Sequence, residues 1–221
     1  SVEVDVYSID NQLWVSHEKP DTLDLKRTLE SLYLIPLSKR IKEKKGYVYK
    51  DYDDFFYLMI DIKTPAEKSY SVLRETLSKY EDIISVVTDS GDQNKPVKIF
   101  ITGFHGRPFN QILSDSIKYA GIDGRPNELG MGISKAHMPI ISQNYNKYLT
   151  WNGIDGQPDS KELDNLVELL NETHAEEKKL RLWAAPDNEK AWSLLRRLGV
   201  DFINTDKLPE LRDFLLAQQK K

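Results

Sequence analysis

The sequence predicts an α/β protein, a TIM (β/α)8-type barrel lacking its first strand–helix unit. Three observations carry that expectation. Strand-like and helix-like segments alternate along all 221 residues, which implies parallel strands joined by right-handed crossovers. Polar residues recur at the carboxyl ends of many strands, where barrel sites are built, rather than at one switch point of an open sheet. No glycine-rich phosphate loop follows the opening strand, which disfavours a nucleotide fold. About seven units can be counted where closure normally takes eight, and a missing strand leaves unpaired edges. A first strand and helix are therefore expected before Ser1. No linker or low-complexity stretch interrupts the pattern, so residues 1–221 read as one N-terminally incomplete domain.

The elements follow in order. "SVEVDVYSID" alternates Val2, Val4 and Val6 with Glu3, Asp5 and Tyr7, the period of a strand. "QLWVSHE" is a second extended piece, read as a hairpin partner or a strand extension. "DLKRTLESLYLIPLSKRIKEKK" is helical, with Leu34, Leu37 and Ile41 at helical spacing and Pro36 restarting the helix. "FFYLMIDIKT" is a continuous apolar run suited to a strand buried on both faces. Thr64-Pro65-Ala66-Glu67 combines a capping threonine, a first-turn proline and a capping-box glutamate. Tyr70, Leu73, Leu77 and Tyr80 then form one apolar stripe. "PVKIFITG", "YAGIDG", "MPIISQNY", "KLRLWAAP" and "VDFINTD" read as strands. "RPFNQILSDSI", "SKELDNLVELLNETHAEE", "NEKAWSLLRRLG" and "LPELRDFLLAQQ" read as helices.

Composition narrows the function. With 39% hydrophobic and 30% charged residues the chain is an ordinary globular protein. A formal charge of −4 argues against a nucleic-acid or anionic-membrane binder. No apolar run approaches the roughly 18 residues of a membrane-spanning helix. There are no cysteines, so disulfides, thiolate ligands and cysteine nucleophiles are excluded. Any metal must be held by oxygen or imidazole, and an all-oxygen site favours magnesium or calcium.

The charged strand positions point further. Glu3 and Asp5 read as the solvated face of a half-exposed strand or, if the strand lies in a barrel with its valines outward, as inward-facing acids. Facing inward, an unpaired carboxylate costs several kcal/mol or takes up a proton. Asp61 and Lys63 are two apart and share a face. Alone they read equally as an ion pair; beside Glu3 and Asp5 they read as a third carboxylate and a cation facing one centre. His17 follows Asp5 by twelve residues. Trp183 lies late on its strand, as core packing or as a pocket wall. Arg107 and Asn144 fall just beyond strand ends, where Arg107 reads as a solvated loop residue or as a contact for a distal anionic group.

At these residues the chain resembles the glycerophosphodiester phosphodiesterase family. "SVEVDVYSIDNQLWVSHE" is similar to that family's acid-x-acid strand followed by a histidine, and "MIDIK" to its acid-x-Lys strand. Aspartate rather than glutamate there is closer to the sphingomyelinase D branch. "LRLWAAPD" resembles the tryptophan-bearing penultimate strand and "GVDFINTDKL" the closing segment. The ordered set is nearest to a mostly bacterial subgroup related also to phosphatidylinositol-specific phospholipases C. The resemblance implies that Glu3, Asp5 and Asp61 ligate a divalent cation, magnesium or calcium, and that His17 is one of two acid/base histidines. It implies that Lys63 contacts a phosphate oxygen and that Trp183 lines the pocket. The second histidine lies on the family's first strand and is expected before Ser1, since His105, His137 and His174 do not match its position.

The expected function is metal-dependent cleavage of a glycerophosphodiester or phospholipid headgroup, by hydrolysis or through a cyclic phosphate. The alternatives are a non-catalytic barrel binding a phosphorylated ligand or glycan, and a metal-assisted carboxylic or amide hydrolase. The substrate is a small-molecule or lipid-headgroup diester. Compartment and oligomeric state are not legible, although action on scavenged diesters would suit an exported bacterial protein.

Overall fold

The computed structural model describes residues 1–50, 52, 54–88, 90–103 and 106–219. The chain divides into two compact units, Ser1–Asp123 and Gly124–Lys221.

In the first unit, β1 (Val2–Ile9) and β2 (Gln12–Val15) form an antiparallel hairpin in register Ile9↔Gln12. Asp10 and Asn11 both have positive φ, the backbone that a two-residue hairpin turn demands. A 3-10 turn at Leu25–Arg27 and a π-helical turn at Glu30–Leu34 lead into α1 (Ile35–Glu43). Pro36 lies in the first turn of α1, where its missing N–H costs least and the preceding backbone has widened. Next come β3 (Phe56–Ile62) and α2 (Ala66–Ser78). Thr64 does not cap α2: its hydroxyl accepts from Ser8 N–H at 3.1 Å and pairs with Ser69, tying this corner to β1.

The first unit continues with β4 (Val86–Thr88), β5 (Gly91–Gln93), β6 (Val97–Gly103), α3 (Phe109–Ser114), β7 (Ile117–Lys118) and β8 (Gly121–Gly124). Its main sheet has the order β8–β6–β3–β1–β2, parallel except for β2. Six of the seven β3 residues are buried and Asp61 is the exception, as expected for an interior parallel strand. A small antiparallel sheet, β5–β4–β7, is separate from it.

The second unit carries β9 (Ile140–Asn144), α4 (Ser160–Ala175), β10 (Lys179–Trp183), α5 (Glu189–Leu198), β11 (Phe202–Ile203) and α6 (Leu208–Gln219). The order β9–β10–β11 is parallel, with fully buried Ile140, Ile141, Leu180 and Leu182. Asp159 caps α4 and Asn188 caps α5, which ends at Gly199 in the left-handed region. Trp192, Leu211 and Phe214 form a core cluster joined by Ile203 and Leu215.

The barrel expectation is overturned. Strands do not alternate one for one with helices: β1 turns directly into antiparallel β2, β4 into β5 and β7 into β8. The connection from β8 to β9 contains a 3-10 turn and no α-helix. Only six α-helices occur among the described residues. The alternation read from the sequence is real for β3–α2, β10–α5 and their neighbours, but the repeated barrel unit is not built.

Candidate functional site

Parallel pairing of β1 with β3 brings the acids together. Asp5 and Asp61 are direct register partners, and Glu3 stands opposite Met59 on the same strand pair. One carboxylate oxygen from each of Glu3, Asp5 and Asp61 lies within 4.8 Å of the others. Like charges directly opposite on neighbouring strands destabilise a sheet. For Asp5 and Asp61, both half-buried, the repulsion is about 3–4 kcal/mol at the effective dielectric of a protein surface.

Lys63 offsets part of it. Its Nζ donates to Asp61 Oδ2 at 2.7 Å and sits 3.2 Å from Asp5 Oδ1. Burial acts to lower the pKa of this ammonium, but the hydrogen bonds and charges of Asp61 and Asp5 outweigh it and raise the net value. Lys63 is placed there because its own N–H continues the ladder to Val6 O at 2.9 Å.

His17 joins from the hairpin. Ser16 N–H donates to Asp5 O at 3.2 Å, extending the β1–β2 ladder and setting His17 beside the acids. His17 Nδ1 lies 2.8 Å from Asp5 Oδ2, while the side chain is 79% exposed. A carboxylate on Nδ1 fixes the ring's orientation and leaves Nε2 facing outward for proton transfer. An open cleft of about 400 Å³ lies next to this histidine, lined by residues including Trp14, Ser16, Lys19, Asp24 and Arg27.

The donor set fits a hard cation. Asp61 Oδ1 is buried without a hydrogen-bond partner, so it retains a lone pair that no protein donor satisfies. Three carboxylates and no thiolate suit magnesium or calcium.

The other expected residues lie elsewhere. Arg107 Nη1 donates to the Asp123 carbonyl at 2.7 Å and its guanidinium lies over the Phe109 ring. Trp183 ends β10 in the second unit, 39% exposed. Asn144 ends β9, and its side chain accepts from Asn146 N–H. His137 contacts Ser134, His174 pairs with Asp201, and His105 lies outside the described residues.

Two residues were missed by sequence reasoning. Tyr33, in the π-helical turn, has its phenol pKa raised by burial and then by the Asp5 carboxylate, which places it in that acid's field. Its segment reads in the sequence only as an amphipathic helix on Leu34, Leu37 and Ile41, which gives Tyr33 no part in the site. Asp123, fully buried, follows Ile122, the partner of Ile101 on β6. Asp61 pairs in register with Thr102, the next residue on β6. Asp5, Asp61, Thr102 and Asp123 thus occupy one row across four adjacent strands. The signal for Asp123 was an acid inside the short apolar strand "GIDG".

Two family models and two curated proteins match the chain. A family model described as the AIM6-like phosphodiesterase domain matches residues 1–120, spanning Glu3, Asp5, His17, Asp61, Lys63 and Arg107. A model described as the glycerophosphoryl diester phosphodiesterase family matches residues 179–209, which include Trp183. The curated protein "Altered inheritance of mitochondria protein 6" of Eremothecium gossypii is 24% identical over 246 residues, covering 97% of this chain and 63% of that protein. Its namesake in Lachancea thermotolerans is 25% identical over 256 residues, covering 96% and 59%. The chain therefore spans about three fifths of the length of these relatives. Both are yeast proteins, where the sequence had pointed to a mostly bacterial subgroup. No solved structure matches. With more than half of its residues under one family model, the chain belongs to the AIM6-like phosphodiesterase domain family.

Proposed function

We propose that this chain is a metal-dependent phosphodiesterase that cleaves a glycerophosphodiester or a phospholipid headgroup, with His17 as an acid/base group. The observation that carries the reading is the convergence of Glu3, Asp5 and Asp61 within 4.8 Å, flanked by Lys63 and His17. A phosphodiester is an anion that repels nucleophiles, so its cleavage needs positive charge beside the phosphoryl oxygens. A magnesium or calcium ion held by Glu3, Asp5 and Asp61 would supply that charge.

The chain's own groups do the rest. Lys63 brings an ammonium to the rim of the acidic row, where it contacts a phosphate oxygen. Asp5 orients His17 so that Nε2 takes a proton from the attacking hydroxyl or gives one to the departing oxygen. The hydroxyl is water or the substrate's own, and the two cases end in a phosphomonoester or a cyclic phosphate. Arg107 serves substrate groups away from phosphorus.

The test is turnover of bis(p-nitrophenyl) phosphate with and without a chelator. Activity is expected to vanish on chelation and to return with magnesium or calcium. Unchanged turnover in the chelator would overturn the metal assignment. Calorimetric binding of inorganic phosphate without any turnover would instead assign the site to ligand binding.

A further inference from the structure

We propose that residues 23–50 form a docking surface for an anionic lipid bilayer. In this segment Leu25 is 74% exposed and Ile35 54%, with Leu23 and Leu32 also open to solvent. Isolated exposed leucines are ordinary, but several along one short segment mark an interaction face. Helical geometry explains the grouping: Leu34, Leu37 and Ile41 are buried, so the opposite side of the helix presents Leu32, Ile35, Lys39 and Lys42. Residues 35–50 contain six basic residues, Lys39, Arg40, Lys42, Lys44, Lys45 and Lys50, against the single acid Glu43. The whole-chain charge of −4 conceals this local excess. Arg40 holds the following loop in place, donating to Val48 O and lying over the Tyr49 ring. Tyr47 and Tyr49 are themselves about half exposed.

Apolar side chains followed by lysines and tyrosines match a bilayer's headgroup boundary: hydrocarbon stems enter the acyl region, ammonium groups meet lipid phosphates, and phenols sit between. A nucleic acid would leave the leucines unburied. A second copy joined face to face across a two-fold axis would set lysine against lysine. Docking itself requires no turnover and stands apart from the phosphodiesterase reading.

The experiment is co-sedimentation of the full chain, in chelator, with phosphatidylcholine vesicles containing about 30 mol% phosphatidylserine, against phosphatidylcholine alone. Binding is expected to the anionic vesicles only and to weaken with salt. A Lys39→Gln, Lys42→Gln, Lys45→Gln variant should lose about a hundredfold in affinity, roughly fivefold per lysine. A Leu25→Asp, Ile35→Asp variant should lose at least about tenfold. All these side chains are exposed, so thermal unfolding should be unchanged in both variants, which separates lost docking from misfolding. Equal binding by wild type and variants, or none by wild type, would overturn the proposal. A dimer in sedimentation velocity that Ile35→Asp dissociates, without vesicle binding, would reassign the face to a second copy.

Discussion

The two units place polar residues on parallel strands in the same way and reach opposite electrostatic outcomes. In the first, register pairing sets Asp5 against Asp61, with Glu3 close by. In the second, it sets Ser142 against Arg181, whose Nε donates to Asn204 Oδ1 at 3.1 Å. The second row is made of dipoles and one guanidinium, and its worst feature is a buried Ser142 hydroxyl without a hydrogen bond, costing about 1–3 kcal/mol. The first concentrates negative charge that a single ammonium offsets only in part. Buried polarity alone does not mark a site, since both units have it. Surplus charge of one sign is the stronger pointer, because it is relieved by a ligand of the other sign or by taking up a proton.

The largest expected effect breaks the first unit's chemistry and leaves its fold intact. His17→Ala should lower kcat by about 10²–10⁴-fold, the usual contribution of an acid/base group. Its ring is exposed, so urea unfolding should shift by no more than about 0.5 kcal/mol. Turnover that survives the substitution would remove His17 from the reaction and leave the acid/base role to another group.

A smaller effect tests whether the second unit satisfies its charges internally. Lys178, buried, donates to Glu176, whose other oxygen accepts from Gly130 N–H at 2.6 Å. The Lys178 hydrogen bond and then the Gly130 N–H hold this carboxyl below its usual value of 4.5. A depressed carboxyl stabilises the fold above the unfolded value, and that share is lost as pH falls from about 4.5 through the folded value. Glu176→Gln should therefore destabilise the protein by about 1–3 kcal/mol at pH 7, leaving Lys178 without its counter-charge. The gap between wild type and variant should close at lower pH. Parallel stability curves from pH 7 to about pH 3 would show that the pair contributes nothing.

Much of the site was legible because its signals are local. Alternation in "SVEVDV" fixes Glu3 and Asp5 on one face, and the spacing of Asp61 and Lys63 does the same on β3. Their mutual approach needed pairing between strands more than fifty residues apart, which periodicity does not encode. The barrel failed for that reason: counting strands and helices says nothing about which strand pairs with which. The short strands β4, β5 and β7 carry too few residues for a period to show. Thr64 looked like a helix cap because Pro65 and Glu67 follow it, yet the Ser8 N–H, far away in sequence, competed for its hydroxyl and won.

The smallest effect sharpens the comparison most. Each unit holds an aspartate–histidine pair at 2.8 Å: Asp5–His17 in the first and Asp201–His174 in the second. The distance is the same but the surroundings differ. Asp201 also accepts the Leu180 N–H at 2.8 Å and lies 3.8 Å from Lys179, so its charge is used to fasten α4 to the start of β10. Asp5 shares its charge with two more carboxylates and with Lys63. His174→Ala should therefore cost under about 1 kcal/mol of stability, as a half-exposed pair does, with turnover at the wild-type level. If His174→Ala abolished turnover as His17→Ala is expected to, pair geometry alone would be the determinant, and the weight placed on the acidic row would be misplaced.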